Sequence, residues 1–364
     1  MSTRVLILSA SVGEGHDLPA RTLAAQLREE RPSVEVSIED SLAVMGRTVG
    51  FLSEGAPRVV FYRFEWAWDV GFWLATAAPT RELAQRLLTH FGAPGLLGLI
   101  ERHDPDVIVS VYPGATEVLG RLRRTGRLGL PVVAAITDLA ALHYWASRGV
   151  DVHLVTHVES IEEVRAIVGP DAPVHCVHGL TDAAFGVPRL QDAARSTLRL
   201  PAAGKVVLVS GGGWGVGDMQ GAVAEALTIP TVAQVVCLCG RNEGLLGELR
   251  ARFVGDPRVR VEGFTEVMSE WLAAGDVLVH STGGLTVLEA LMRGCPAISY
   301  GWGRGHLRVH NAAYRRLGIA QVAGNRRELR VAVERALAQG RTDVGSFDGL
   351  PSAASFVLAA ADAG

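Results

Sequence analysis

Three short segments combine glycine, hydroxyl and ionisable side chains at spacings suited to holding an anionic ligand and moving a proton beside it. The first is Ser9-Ala10-Ser11-Val12-Gly13-Glu14-Gly15-His16, directly after an apolar run. Gly13 and Gly15 let the backbone turn tightly and approach a ligand, and the helix predicted to follow, with Pro19 in its first turn, offers free N–H groups and partial positive charge at its mouth. Leu18 stands where the third glycine of G-x-G-x-x-G would fall, so nicotinamide binding is not supported. His16 at that mouth has three readings: a general base, an anion contact or a structural cap. The second segment, 210–217, carries five glycines from Gly211 to Gly217 around Trp214, a composition that permits a backbone wrap before a helix. It lacks the Lys and hydroxyl of a P-loop. The third, Ser281-Thr282-Gly283-Gly284-Leu285-Thr286, opens a helix that reaches Glu289. Hydroxyls, glycine N–H groups and a helix N-terminus converge there, which suits a phosphate, and Glu289 one turn further in can accept ribose hydroxyl protons. One diphosphate-sugar nucleotide fits this set.

These loops need strands to place them. Apolar runs at 5–9, 34–38, 107–111, 132–136 and 152–156 alternate with helical patterns, and a second series follows at 205–210, 235–239, 259–261, 277–280 and 297–300. Strands apolar throughout belong to parallel sheets covered on both faces. The sequence therefore predicts an α/β protein of two Rossmann-like parallel-sheet domains facing a cleft. Chemistry is expected in the loops after the carboxyl ends of the strands. The expected boundaries are 1–186 for the first domain, 187–203 for a linker containing Pro188 and Pro201, 204–345 for the second domain, and 346–364 for a C-terminal helix packing back on the first.

The length of 364 residues suits about two domains. With 48% apolar and 20% charged residues the chain is not disordered, and a net charge of -3 provides no general field for nucleic acid. The four cysteines have no zinc-like spacing and read as buried small hydrophobes, so no metal site is expected. The start leads straight into a strand without a leader pattern, and no run of about 18 apolar residues occurs, so the expectation is a cytoplasmic protein whose membrane contact is peripheral.

Five motifs occur in order: Gly13-x-Gly15-His16, Thr137-Asp138 before His143-x-Trp145, Cys239-Gly240-Arg241-Asn242, Gly263-Phe264, and Gly283-Gly284-x-Thr286-x-x-Glu289-Ala290. Together, over residues 4 to 340, the chain resembles the family-28-like glycosyltransferases, the group of processive diacylglycerol glucosyltransferases and monogalactosyldiacylglycerol synthases. The resemblance implies a GT-B fold and an inverting, metal-independent transfer from a UDP-sugar, which is a substrate, with no cofactor. It implies that Glu289 binds the ribose, that Phe264 lies beside the uracil, and that Gly284, Leu285 and Thr286 meet the diphosphate. Gly213, Trp214, Arg241, Gly283 and His306 complete the donor side. His16 and Asp138 are both candidates for the base that takes the acceptor proton, and the choice between them stays open. Where relatives carry a Gly-Gln-Glu run thought to read the hexose, this chain has Gly305-His306-Leu307-Arg308, then Asn311. Leu307 cannot accept a hydrogen bond, which leaves the sugar open.

Seven aromatics fall in residues 61–73, among them Phe64, Trp66, Trp68, Phe72 and Trp73. They suit a headgroup zone or a greasy acceptor groove, or equally an aromatic helix packed in the domain. The resemblance places a lipid-binding segment here, with His143 on the acceptor side. Arg121, Arg123, Arg124 and Arg127 form a second signal, for anionic lipid or for a solvated helix end. The predicted function is transfer of a hexose to a lipid such as diacylglycerol. The alternatives are a soluble or secondary-metabolite acceptor, a UDP-sugar epimerase, and a nucleotide-sugar sensor without turnover.

Overall fold

Runs of Val, Leu, Ile and Ala buried on both faces form the central strands of two parallel sheets, while strands Glu35–Asp40 and Val259–Glu262 are partly exposed and more polar. The computed structural model describes residues 2–11, 14–46, 78–281, 283–301, 305–342, 347 and 349–364, with the backbone alone at 14, 78–80, 305 and 306. The chain divides into two units, Met1–Thr181 with Gly349–Gly364, and Asp182–Asp348.

In the first unit the strands are β1 (Arg4–Ser9), β2 (Glu35–Asp40), β3 (Val107–Ser110), β4 (Val132–Ile136), β5 (Val152–Val155) and β6 (Val174–Cys176). All pair in parallel, in the order β2-β1-β3-β4-β5-β6. Helices Glu14–Glu30 and Ala353–Ala363 cover one face over a core that includes Ile7, Leu23, Leu27, Val109 and Val357. Helices Ala78–His103 and Pro113–Arg124 cover the other over Leu6, Leu8, Leu96, Ile108 and Leu119. The chain winds outward from β1 to β2 and then restarts at β3 on the opposite side, so the carboxyl ends of β1 and β3 flank a reversal point, where doubly wound sheets bind ligands.

In the second unit the strands are β7 (Lys205–Ser210), β8 (Val232–Leu238), β9 (Val259–Glu262), β10 (Val277–His280), β11 (Ala297–Tyr300) and β12 (Gln321–Ala323), in the order β12-β11-β10-β7-β8-β9. They too are parallel throughout. The reversal here lies between β7 and β10, the two strands that the glycine-rich segments follow.

Three expectations require correction. The segment 187–203 is not a linker: it contains the helix Gln191–Leu198, which packs on the helix Met268–Ala274, and the unit boundary falls at Thr181 and Asp182. The physical reason is Arg195, whose guanidinium is buried against Asp276 at 2.5 Å and donates to the carbonyls of Ala274, Pro201, Ala202 and Gly204. Second, Pro19 lies inside the helix Glu14–Glu30 and not in its first turn. Without an N–H it gives no helical bond to the Gly15 carbonyl. Third, the tail returns to the first unit at Gly349, a few residues after the expected 346. Its helix, Ala353–Ala363, is fixed on the first helix by an Arg31–Asp362 ion pair of 2.7 Å. Among the described residues no helix is long and apolar enough to cross a membrane.

Candidate active site

His16 lies in the first turn of the helix that follows β1. Its Nδ1 is 2.9 Å from the carbonyl of Val111, just past β3. A carbonyl only accepts, so Nδ1 carries the proton and Nε2 keeps its lone pair. The ring is held edge-on to Tyr112, with centroids 5.3 Å apart, and tilted against Trp145 at 5.6 Å. The Trp145 indole N–H donates to Asp138 Oδ2 at 3.3 Å. Loops after β1, β3 and β4 thus bring His16, Val111, Tyr112, Asp138 and Trp145 to one end of the sheet, at the β1/β3 reversal. Burial lowers the His16 pKa, opposed by the Asp138 charge, the Val111 bond and Asp17. The imidazole is therefore neutral at neutral pH and able to accept a proton, while Asp138 favours the cation that would result. The two candidates for the base occupy one cluster with different surroundings: His16 has an oriented ring, and Asp138 receives the indole that packs on that ring.

His143 is in the short helix Leu142–Trp145 with its ring against Tyr144, centroids 4.6 Å apart, and burial followed by the Arg81 charge lowers its pKa. The structure does not bring it into the hydrogen-bonded His16 cluster. Phe64, Trp66, Trp68, Phe72 and Trp73 lie outside the described residues, as does the side chain of His306.

In the second unit the loops after β7, β8 and β10 interlock. The Arg241 N–H donates to the Gly213 carbonyl at 2.9 Å and the Asn242 amide donates to the Trp214 carbonyl at 3.3 Å. Gly215 and Gly217 have φ of +59° and +96°, and a side chain at either would collide, at Gly215 with the Cys239 carbonyl and at Gly217 with Ser281. Glycine is required there for conformation and for close approach. The Arg241 guanidinium stacks 3.6 Å from the centroid of the Phe264 ring, which is 44% exposed, and Trp214 is 54% exposed. The helix Gly284–Met292 is preceded by its N-cap Gly283, which has no side chain to bond the first-turn N–H groups of Gly284, Leu285 and Thr286. Glu289 is buried further along the same helix. Leu307 is buried, and the Asn311 carboxamide oxygen accepts from Ser299 Oγ at 2.6 Å. Leu307 has no polar group to offer, and the Asn311 oxygen is already bonded within the unit.

Sequence reasoning missed two features. Asp218 caps its own helix through the Gly221 N–H and also gathers hydrogen bonds from Tyr300 and Arg326, 82 and 108 residues away and brought to it only by the sheet. Leu83, Leu87 and Phe91 form an exposed apolar stripe on the helix Ala78–His103; their four-residue spacing was a readable signal. The neighbouring arginine group is not a single solvated row. Arg123 turns inward to Asp151 at 2.5 Å and to the Gly129 carbonyl, while Arg124 and Arg127 are exposed.

Two doubly wound parallel sheets with these strand orders define the GT-B fold, and solved structures agree. MurG from Acinetobacter baumannii superposes with a TM-score of 0.60 at 16% identity, covering 99% of this chain and 98% of that one. The glycosyltransferase SnogD from Streptomyces nogalater gives 0.58 at 19% identity, covering 99% and 100%. In sequence, the monogalactosyldiacylglycerol (MGDG) synthase family matches residues 16–175. A processive diacylglycerol beta-glucosyltransferase of Staphylococcus epidermidis (strain ATCC 12228 / FDA PCI 1200) is 24% identical over 297 residues, 81% of this chain and 74% of that one. The chain has the GT-B fold, and in sequence it is similar to the MGDG synthase family over residues 16–175 and to processive diacylglycerol glucosyltransferases over most of its length.

Proposed function

We propose that the protein is an inverting, metal-independent glycosyltransferase that moves a hexose from a UDP-sugar to a lipid acceptor such as diacylglycerol at a membrane surface. The observation that carries the transferase reading is His16, an oriented neutral imidazole with a proton-accepting Nε2 beside a carboxylate. His16 takes the proton of the acceptor hydroxyl as that oxygen attacks the anomeric carbon from the face opposite the diphosphate. The bond to the diphosphate breaks, and UDP leaves with the electron pair. Asp138 favours the imidazolium. The N–H groups of Gly284, Leu285 and Thr286 stabilise the charge on the departing diphosphate without requiring a metal ion. Glu289 takes the ribose hydroxyls, and the Arg241–Phe264 stack bounds the place of the uracil.

The acceptor assignment draws on the named activity of the staphylococcal relative and on the surface of the first unit. Leu83, Leu87 and Phe91 present an apolar stripe, and Arg121 of the adjoining helix reaches Glu82 beside it at 3.6 Å. Apolar side chains with cations at their margin suit insertion among anionic headgroups.

The donor half is tested by Glu289. Hydrogen bonds to a charged group contribute about 1.5–3 kcal/mol, so Glu289→Gln should weaken UDP binding roughly ten- to hundredfold. Isothermal titration of UDP into both proteins measures this, and equal affinities would remove the ribose assignment.

A further inference from the structure

We infer that Asp218, through Tyr300 and Arg326, is the positioning residue that sets the shape and charge of the donor's diphosphate loops. This inference rests on the donor reading above. Asp218 ends the glycine-rich loop after β7, and one of its oxygens accepts from the Gly221 N–H at 2.8 Å, capping the helix Met219–Leu227. A cap needs no more than that. The other oxygen accepts from the Tyr300 hydroxyl at 2.9 Å and from Arg326 at 3.1 and 3.2 Å. Tyr300 is the last residue of β11, and Arg326 is the first of the helix Arg326–Gln339 after β12. The Tyr300 carbonyl in turn accepts from Ser281 Oγ at 2.8 Å, and Ser281 is the residue against which Gly217 packs. One carboxylate therefore ties the segments after β7 and β12 to the end of β11, and through Tyr300 the segment after β10 is joined to them, with the β7/β10 reversal among them.

Charge gives the second part of the argument. A carboxylate this close to anion-binding loops repels a diphosphate unless it is neutralised. Arg326 supplies the neutralising charge. Burial alone would raise the Asp218 pKa, but the bonds from Gly221, Tyr300 and Arg326 outweigh it and leave it lowered. Burial and Asp218 together push the Tyr300 hydroxyl up to about 12. The anion, the neutral phenol and the guanidinium thus keep their states across the neutral range.

UDP is the probe, with affinity and thermal midpoint measured on the same samples. Tyr300→Phe keeps the buried ring and removes only the hydroxyl; it should weaken UDP binding roughly fivefold or more, as expected for one hydrogen bond, with the midpoint nearly unchanged. Arg326→Ala should weaken UDP binding by a similar factor. Adding Asp218→Asn to Arg326→Ala should restore much of it, because the amide oxygen still accepts from Gly221, the amide NH2 in place of the other oxygen can donate to the Tyr300 hydroxyl, and the uncompensated charge is gone. A merely structural role predicts no such rescue. Wild-type affinity in Tyr300→Phe, or a double variant no better than Arg326→Ala, would overturn the inference. Failure of the wild-type protein to bind UDP would overturn the donor reading itself, and this inference with it.

Discussion

His16→Ala should lower kcat by roughly 10²- to 10⁴-fold, the usual worth of a positioned general base, while leaving UDP affinity within about a factor of two. The residues assigned to the donor lie in the other unit, so substrate capture and proton removal are separable. The pH dependence adds a sharper check. Because burial lowers the His16 pKa, the acid limb of the kcat profile should fall below the ordinary histidine value of 6.5. Asp138 acts on this group by raising its pKa. Asp138→Asn should therefore move the limb to still lower pH and reduce kcat, because the imidazolium loses its stabilising charge. If Asp138 were itself the base, that variant would lose the limb altogether and His16→Ala would retain it. Steady-state kinetics of both variants from pH 5 to 9 decides between the two.

Asp276→Ala should destabilise the second unit by about 3–5 kcal/mol, the cost of leaving a buried charge without its partner. Arg195 and Asp276 are 5% and 6% exposed. Asp276 also accepts from the Val206 N–H at 2.7 Å and faces Lys205 at 3.4 Å. Its removal strands the Arg195 guanidinium under the helix Gln191–Leu198 and frees that helix from the sheet. Paired replacement, Arg195→Met with Asp276→Leu, should recover much of the loss, because an apolar pair carries no desolvation cost. Urea denaturation followed by circular dichroism measures both. A loss below about 1 kcal/mol in the single variant would show that water reaches the pair and screens it.

The same ion pair shows what the sequence could and could not convey. The long apolar strands and the reversal-point loops were legible, because burial on both faces leaves unbroken apolar runs and because glycines cluster where backbones must approach. The segment 187–203 was misread as a linker, since Pro188 and Pro201 are visible in sequence whereas the contact of Arg195 with a residue 81 positions away is not. β6 and β12 are three-residue edge strands, too short to show a period. The helix Ala78–His103 contains Gly92, Pro94, Gly95 and Gly98, which mask its pattern. At the candidate site, His16 and Asp138 could be named from sequence, but the choice of tautomer needed the Val111 carbonyl, which comes from another strand. The tie from Asp218 to Tyr300 and Arg326 spans 82 and 108 residues and had no local signature.

The most direct test of the central claim is UDP release by the purified protein from a panel of UDP-sugars, with diacylglycerol in mixed micelles present or absent and EDTA in every reaction. Lipid-dependent release from one sugar, with a glycosylated diacylglycerol among the products, is the predicted result. No release from any sugar, or release that does not depend on the lipid, would contradict it.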